Sequence, residues 1–163
     1  VSANAAREVL IRLRAIRQAA ATEAPLAACR ALGQAAETAV KVTLSSSTHP
    51  PGTTTPSDPG QPPSLITGRL RRSITRTPPR LTEPGAAMCL VGSVVIYASV
   101  HEFGPVTITA RRFPQLGNPQ VGFFGRQVII PRRPFLEPAT RRLESTGIAR
   151  RVTEAAFRDA LGL

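Results

Sequence analysis

Apolar side chains recur at helical spacing from Ala3 to about Leu44: Val9, Leu10, Leu13 and Ile16 in a first run, then Leu26, Leu32, Ala36 and Val40 in a second. Side chains three and four positions apart share one face of a helix, and the stretch is rich in Ala with Gly33 as its single glycine, so helix is predicted throughout. Pro25, just after Thr22-Glu23-Ala24, suits the first turn of a new helix, which places a kink or a break between 22 and 25. The apolar stripe is expected to pack on a sheet, with Arg7, Arg14 and Arg17 toward solvent.

The pattern then stops. Residues 45–66 carry six prolines and two glycines, and no large apolar side chain precedes Leu65. Such a segment buries too little to order itself, so it is expected to be an extended loop, mobile in isolation or ordered against a neighbouring subunit. His49 lies in it without a second ligand nearby and reads as an ordinary loop histidine. Leu70 and Ile74 restore an i, i+4 pair within Thr67-Gly68-Arg69-Leu70-Arg71-Arg72-Ser73-Ile74, a short helical turn with Thr67 as its cap. Ala87 to Tyr97 is rich in β-branched residues and predicts a strand, with a bulge or turn at Gly92-Ser93. Ala98 to Phe103 is expected to leave it as a short helix or turn that Gly104-Pro105 ends. Val106 to Thr109 and Gln127 to Ile130 predict two strands of a hairpin-like arm protruding over 105–132. From Pro138 onward, Leu143, Ile148, Val152, Ala156 and Phe157 predict a C-terminal helix with an irregularity at Gly147.

Composition changes this picture in three ways. At 163 residues one domain, 1–163, is expected, and 42% hydrophobic residues supply a core, whereas 4% aromatics and no Trp leave little for stacking on nucleic-acid bases. The net charge is +11, and Lys41 is the only lysine, so nearly all the positive charge is guanidinium, which pairs bidentately with carboxylate or phosphate. The excess gathers in two acid-free stretches, one with Arg69, Arg71 and Arg72, the other with Arg111, Arg112, Arg126, Arg132 and Arg133. These are expected to meet DNA phosphates or acidic surfaces of neighbouring subunits.

Chemistry is sparse by comparison. Cys29 and Cys89 lie far apart without metal-ligand or redox spacing, and are expected to be small buried hydrophobes in a reducing compartment. No nucleophile with its base, paired carboxylates or ligand cluster stands out, and Gly117, Gly122 and Gly125 do not form a phosphate loop between strand and helix. No catalytic residue, cofactor or metal is therefore expected. Glu102 is expected to pair with an arginine, within the chain or across a subunit boundary, where burial makes the pairing selective. A charged N-terminal stretch and no apolar run long enough to span a membrane predict a soluble intracellular product with no membrane partner.

Three pieces in order carry a resemblance. Pro62-Pro63 leads into Thr67-Gly68-Arg69-Leu70-Arg71-Arg72-Ser73-Ile74; a strand runs into Tyr97-Ala98 and then Glu102-Phe103-Gly104; after the arm, Arg133-Pro134-Phe135-Leu136-Glu137-Pro138-Ala139 precedes the last helix. In this arrangement the chain resembles the small tail-completion, or head-tail joining, proteins of long-tailed bacteriophages, also described as neck or minor tail proteins. It departs from them at Pro105, where Thr is common, and in the length and basicity of the arm. The resemblance implies an α+β fold, with N- and C-terminal helices packed on a small antiparallel sheet. It also implies a structural virion protein, assembled in the host cytoplasm. Copies of the chain would form a ring, a hexamer, between the head's portal and adaptor assembly and the tail tube. Partners would be the neighbouring connector and tail proteins and the DNA in the lumen. A ring capping the tail tube, the tail terminator, is a close variant, and a free basic DNA-binding protein is the more distant alternative. Each motif residue also has a local explanation: a turn at Gly68, core at Phe103, Phe135 and Leu136, and a helix start at Pro134 and Pro138.

Overall fold

A computed structural model describes residues 3–50, 56–109 and 127–163. Helices occupy both ends of the chain: α1 (Ala3–Ala21) and α2 (Glu23–Thr43), then α5 (Leu136–Ser145) and α6 (Ile148–Leu161). Between them, among the described residues, lie the short helices α3 (Arg69–Ser73) and α4 (Ile96–Phe103) and six strands. These are β1 (Ile74–Arg76), β2 (Arg80–Glu83), β3 (Ala86–Met88), β4 (Val91–Ser93), β5 (Val106–Thr109) and β6 (Gln127–Ile130). The fold is α+β, and the described strands form three separate antiparallel pairs, β1 with β4, β2 with β3 and β5 with β6.

The break between α1 and α2 falls at Thr22, whose hydroxyl donates back to the Gln18 carbonyl while Glu23 and Pro25 enter the first turn of α2. That turn suits both residues, since an acid there opposes the positive end of the helix dipole and proline gives up no needed N–H. α2 is the hub: it packs most extensively on α6, then on α5 and α1, and its other side meets β1, β3 and β4. The core cluster gathers Val40 and Leu44 at its C-terminal end with Leu70, Ile74, Ala98, Phe135 and Ala139. The i, i+4 pair Leu70 and Ile74 thus enters the core, and Gly68 precedes α3 with φ of 70°, a left-handed conformation that glycine adopts without strain.

Three expectations need correction. Val9, Leu10 and Leu13 are more than half exposed, so the first turns of α1 carry their apolar side chains into solvent rather than onto a sheet. Periodicity reports an amphipathic helix but not what covers it. The single strand foreseen over 87–97 is two short strands with different partners, β3 and β4, and its end, Ile96-Tyr97, already belongs to α4. A β-branched run marks extended backbone here, yet tertiary pairing decides where it bends. The irregularity at Gly147, with φ of 67°, fully separates α5 from α6.

The Pro-rich loop is also tied to its own chain. Thr48 and Leu65 form a bridge at its base, with Leu65 N–H donating to Ser47 O at 2.8 Å and His49 N–H to Leu65 O at 3.1 Å. Further along, Gly60 N–H donates to Arg132 O at 2.9 Å.

These contrasts set an energetic expectation. Ile74 is fully buried and Ile11 is 59% exposed, so Ile74→Ala should cost about 2–5 kcal/mol while Ile11→Ala stays within roughly 0.5 kcal/mol in urea denaturation.

Candidate functional site

The motif pieces converge where α4 meets the start of α5. A helix begins with N–H groups that lack intrahelical acceptors, and these ordinarily need a Ser, Thr, Asp or Asn cap. α5 has none, since the residue in the capping position is Phe135. Glu102, on α4, takes that role from 33 positions earlier. Its Oε2 accepts from Phe135 N–H at 2.8 Å and Leu136 N–H at 2.9 Å, and its Oε1 from Glu137 N–H at 3.0 Å. The next residue is Pro138, which has no N–H, so every orphan donor of the first turn is accounted for. The carboxylate also lies against the positive end of the helix dipole. Glu102 is 4% exposed, and charge-assisted bonds to backbone donors offset the cost of burying it.

This corrects the ion pair expected of Glu102. Among the described residues its carboxylate meets no guanidinium; the arginines bind elsewhere on the same junction. Arg132 donates through Nε to the Glu102 carbonyl at 2.8 Å and pairs with Glu137. Arg133 is 7% exposed, which removes it from any outer contact surface. Its Nε donates to Ser57 O at 2.8 Å and its N–H to His101 O at 2.8 Å. Gly104 completes the corner: a Cβ there would lie 2.7 Å from the Val100 carbonyl and 3.4 Å from Arg132 N and Ile130 O, so only glycine lets the two roots of the arm approach.

Three faces of α4 differ sharply. Ala98 and Glu102 face inward, Tyr97 and His101 line a shallow groove of about 260 Å³, and Ile96 and Phe103 point to solvent. The groove is walled by Leu44, Leu65 and Leu70, with Arg69 and Arg71 at its margin. Phe103, expected in the core, is 79% exposed, whereas Phe135 is 1% exposed as expected. Val94 and Ile96 are each 89% exposed and Ile129, at the root of the arm, 67%.

The exposed basic group is narrower than the sequence suggested. Arg69, Arg71 and Arg72 all lie at the surface, Arg72 turning one amino group back to the Thr67 carbonyl at 3.0 Å. Thr67 does not cap α3 firmly, its Oγ1 standing 3.4 Å from Arg69 N. Arg111, Arg112 and Arg126 lie outside the described residues. Ser73 links α3 to β4 through a hydroxyl contact with Ser93 at 2.7 Å. Among the described residues no group of three or more His, Cys, Asp or Glu is placed to hold a metal, and no helix is long and apolar enough to cross a membrane.

Sequence reasoning missed the cap because it links residues distant in the chain. The available signal was negative: Arg133-Pro134-Phe135 precedes a helix with no local capping side chain. It also missed that Cys29 and Cys89 are neighbours. Cys89 Sγ lies 3.5 Å from the Cys29 carbonyl, and both residues are half-buried rather than core.

Removing the Glu102 carboxylate should leave several orphan donors at a largely buried helix start. Glu102→Ala should cost about 3–5 kcal/mol and Glu102→Gln about 1–2 kcal/mol, read from urea denaturation. His101 gives a pH signature. Burial, and then the nearby Arg133 charge, push its imidazole below the ordinary histidine value, so the fold favours the neutral ring. Its ring also meets Tyr97 edge-on, at 6.0 Å between centroids. Stability from this group is complete above the unfolded value, about 6.5, and declines as pH falls below it toward the lower folded value. A melting-temperature series from pH 7.5 to 5 should show that decline in the parent chain and a flatter profile in His101→Gln. Scans of protein-family models, of curated proteins and of solved structures each return no match to this chain.

Proposed function

We propose that this chain is a structural subunit of the neck of a long-tailed bacteriophage, one of several copies in a ring that joins the head's portal and adaptor assembly to the tail tube. The observation that carries the reading is the exposure of large apolar side chains on two separate parts of the chain. Val9, Leu10, Ile11 and Leu13 lie on α1, and Val94, Ile96 and Phe103 lie on and beside α4. A subunit that meets its neighbours through two different surfaces forms head-to-tail contacts, and these close into a ring at the right rotation. Exposed apolar groups of this size suit protein neighbours better than a polyanion.

The resemblance supplies the remainder. Thr67 to Ile74, Tyr97 to Gly104 and Arg133 to Ala139 are the pieces shared with tail-completion proteins, and in this fold they surround one junction, with Leu70, Ile74, Ala98, Phe135 and Ala139 in a common core. Arg69, Arg71 and Arg72 are then available to acidic neighbours or to DNA passing through the lumen, and the chemistry asked of the protein is assembly rather than turnover.

Disrupting the gene in a phage that carries it should yield filled heads and finished tails that fail to join, scored by electron microscopy of the lysate. Tails of uncontrolled length would assign the terminator position instead. Normal joined particles, or purified virions lacking the chain by mass spectrometry, would overturn both.

A further inference from the structure

Cys29 and Cys89 are distant in sequence but adjacent in the fold. Cys29 lies on the hub helix α2, and Cys89 lies between β3 and β4, 60 positions later. The Cys89 thiol sits in the groove of α2 that Gly33 opens: its Sγ is 3.5 Å from the Cys29 carbonyl and would be 2.8 Å from a Cβ at position 33. Gly33 is buried and lies one turn beyond Cys29, so the helix surface is recessed just where the strand segment delivers a sulfur. Both residues retain partial exposure, which leaves the pair open to small reagents.

We infer that Cys29 and Cys89 form an oxidisable pair, a site where a low-molecular-weight disulfide staples α2 to the β3–β4 segment. The two sulfurs have unequal roles. Burial, and next the hydrogen bond to Cys89 and the negative charge of its thiolate, push the Cys29 thiol up to about 11, which makes it a poor first nucleophile. The Cys89 thiolate opens the reaction by attacking one sulfur of glutathione disulfide, breaking that S–S bond and expelling one glutathione thiolate. With Cys89 held in the mixed disulfide, its thiolate charge no longer opposes ionisation of Cys29. The Cys29 thiolate then attacks the Cys89 sulfur of the mixed disulfide, forms the Cys29–Cys89 bond and expels the second glutathione thiolate. Two protons leave the cysteines, and two electrons reduce one glutathione disulfide to two thiols.

The staple closes a long loop of chain and joins the β3–β4 segment to α2, a helix already packed on α5, α6 and α1. This inference does not depend on the neck assignment. The full native chain is incubated with glutathione disulfide at pH 8 and mapped by mass spectrometry after thiol blocking. The expected product is monomeric, has lost two hydrogens, and links the tryptic peptide Gln18–Arg30 to the one containing Cys89. Its melting temperature should rise by about 5–15 °C and return on treatment with dithiothreitol. Cys29→Ser, which keeps a similar volume, should instead accumulate a glutathione adduct on Cys89. A persistent Cys89 adduct in the parent chain, disulfides between chains, or no reaction under native conditions would each overturn the inference.

Discussion

One buried carboxylate sets where the two C-terminal helices of this protein begin. Glu102 fixes where α5 begins by binding the N–H groups of Phe135, Leu136 and Glu137, and those bonds also fix the spacing between α4 and α5. Phe135 is thereby held in the core beside Ile74 and Leu70, and Ala139, one turn later, reaches the same cluster. α6 follows α5 through the Gly147 turn and lies along α2. The hydrophobic core supplies the free energy, but it is non-directional; the charge-assisted bonds at this one helix start choose among the packings it would otherwise allow.

The same junction sorts the arginines. A count of charges treats all members of the two acid-free stretches alike, whereas the fold uses them differently. Arg133 is an internal strut between the Pro-rich loop and α4. Arg132 braces the junction through the Glu102 carbonyl and Glu137, and Arg76 stands 3.5 Å from Glu37 on α2. Arg69, Arg71 and Arg72 remain at the surface beside an apolar groove. A guanidinium suits both tasks, since its fork satisfies carbonyls inside as readily as carboxylates outside.

Local features were legible in the sequence. The break before Pro25, the Leu70–Ile74 pair, the short helix ending at Gly104 and the two strands rooting the arm all follow from spacing and backbone chemistry within a few residues. What was not legible depends on contacts across the chain. The exposure of α1's stripe depends on what other helices cover, and the splitting of the 87–97 strand on which partner each half finds. Glu102 and Arg133 illustrate the limit best, because a charged residue in a sequence reads as surface or as half of an ion pair. Here the partners are backbone groups, which every residue has and which no composition reveals.

The corner at Gly104 decouples the span it anchors from the rest of the fold. The chain leaves toward β5 and returns through β6 at almost the same point, where Arg132 and Arg133 bond to the carbonyls of Glu102 and His101. The span between is stitched shut at its root, so its length and sequence can change without altering the distance from Glu102 to the start of α5. Positions at the root have no such latitude, since a Cβ at Gly104 would lie 2.7 Å from the Val100 carbonyl.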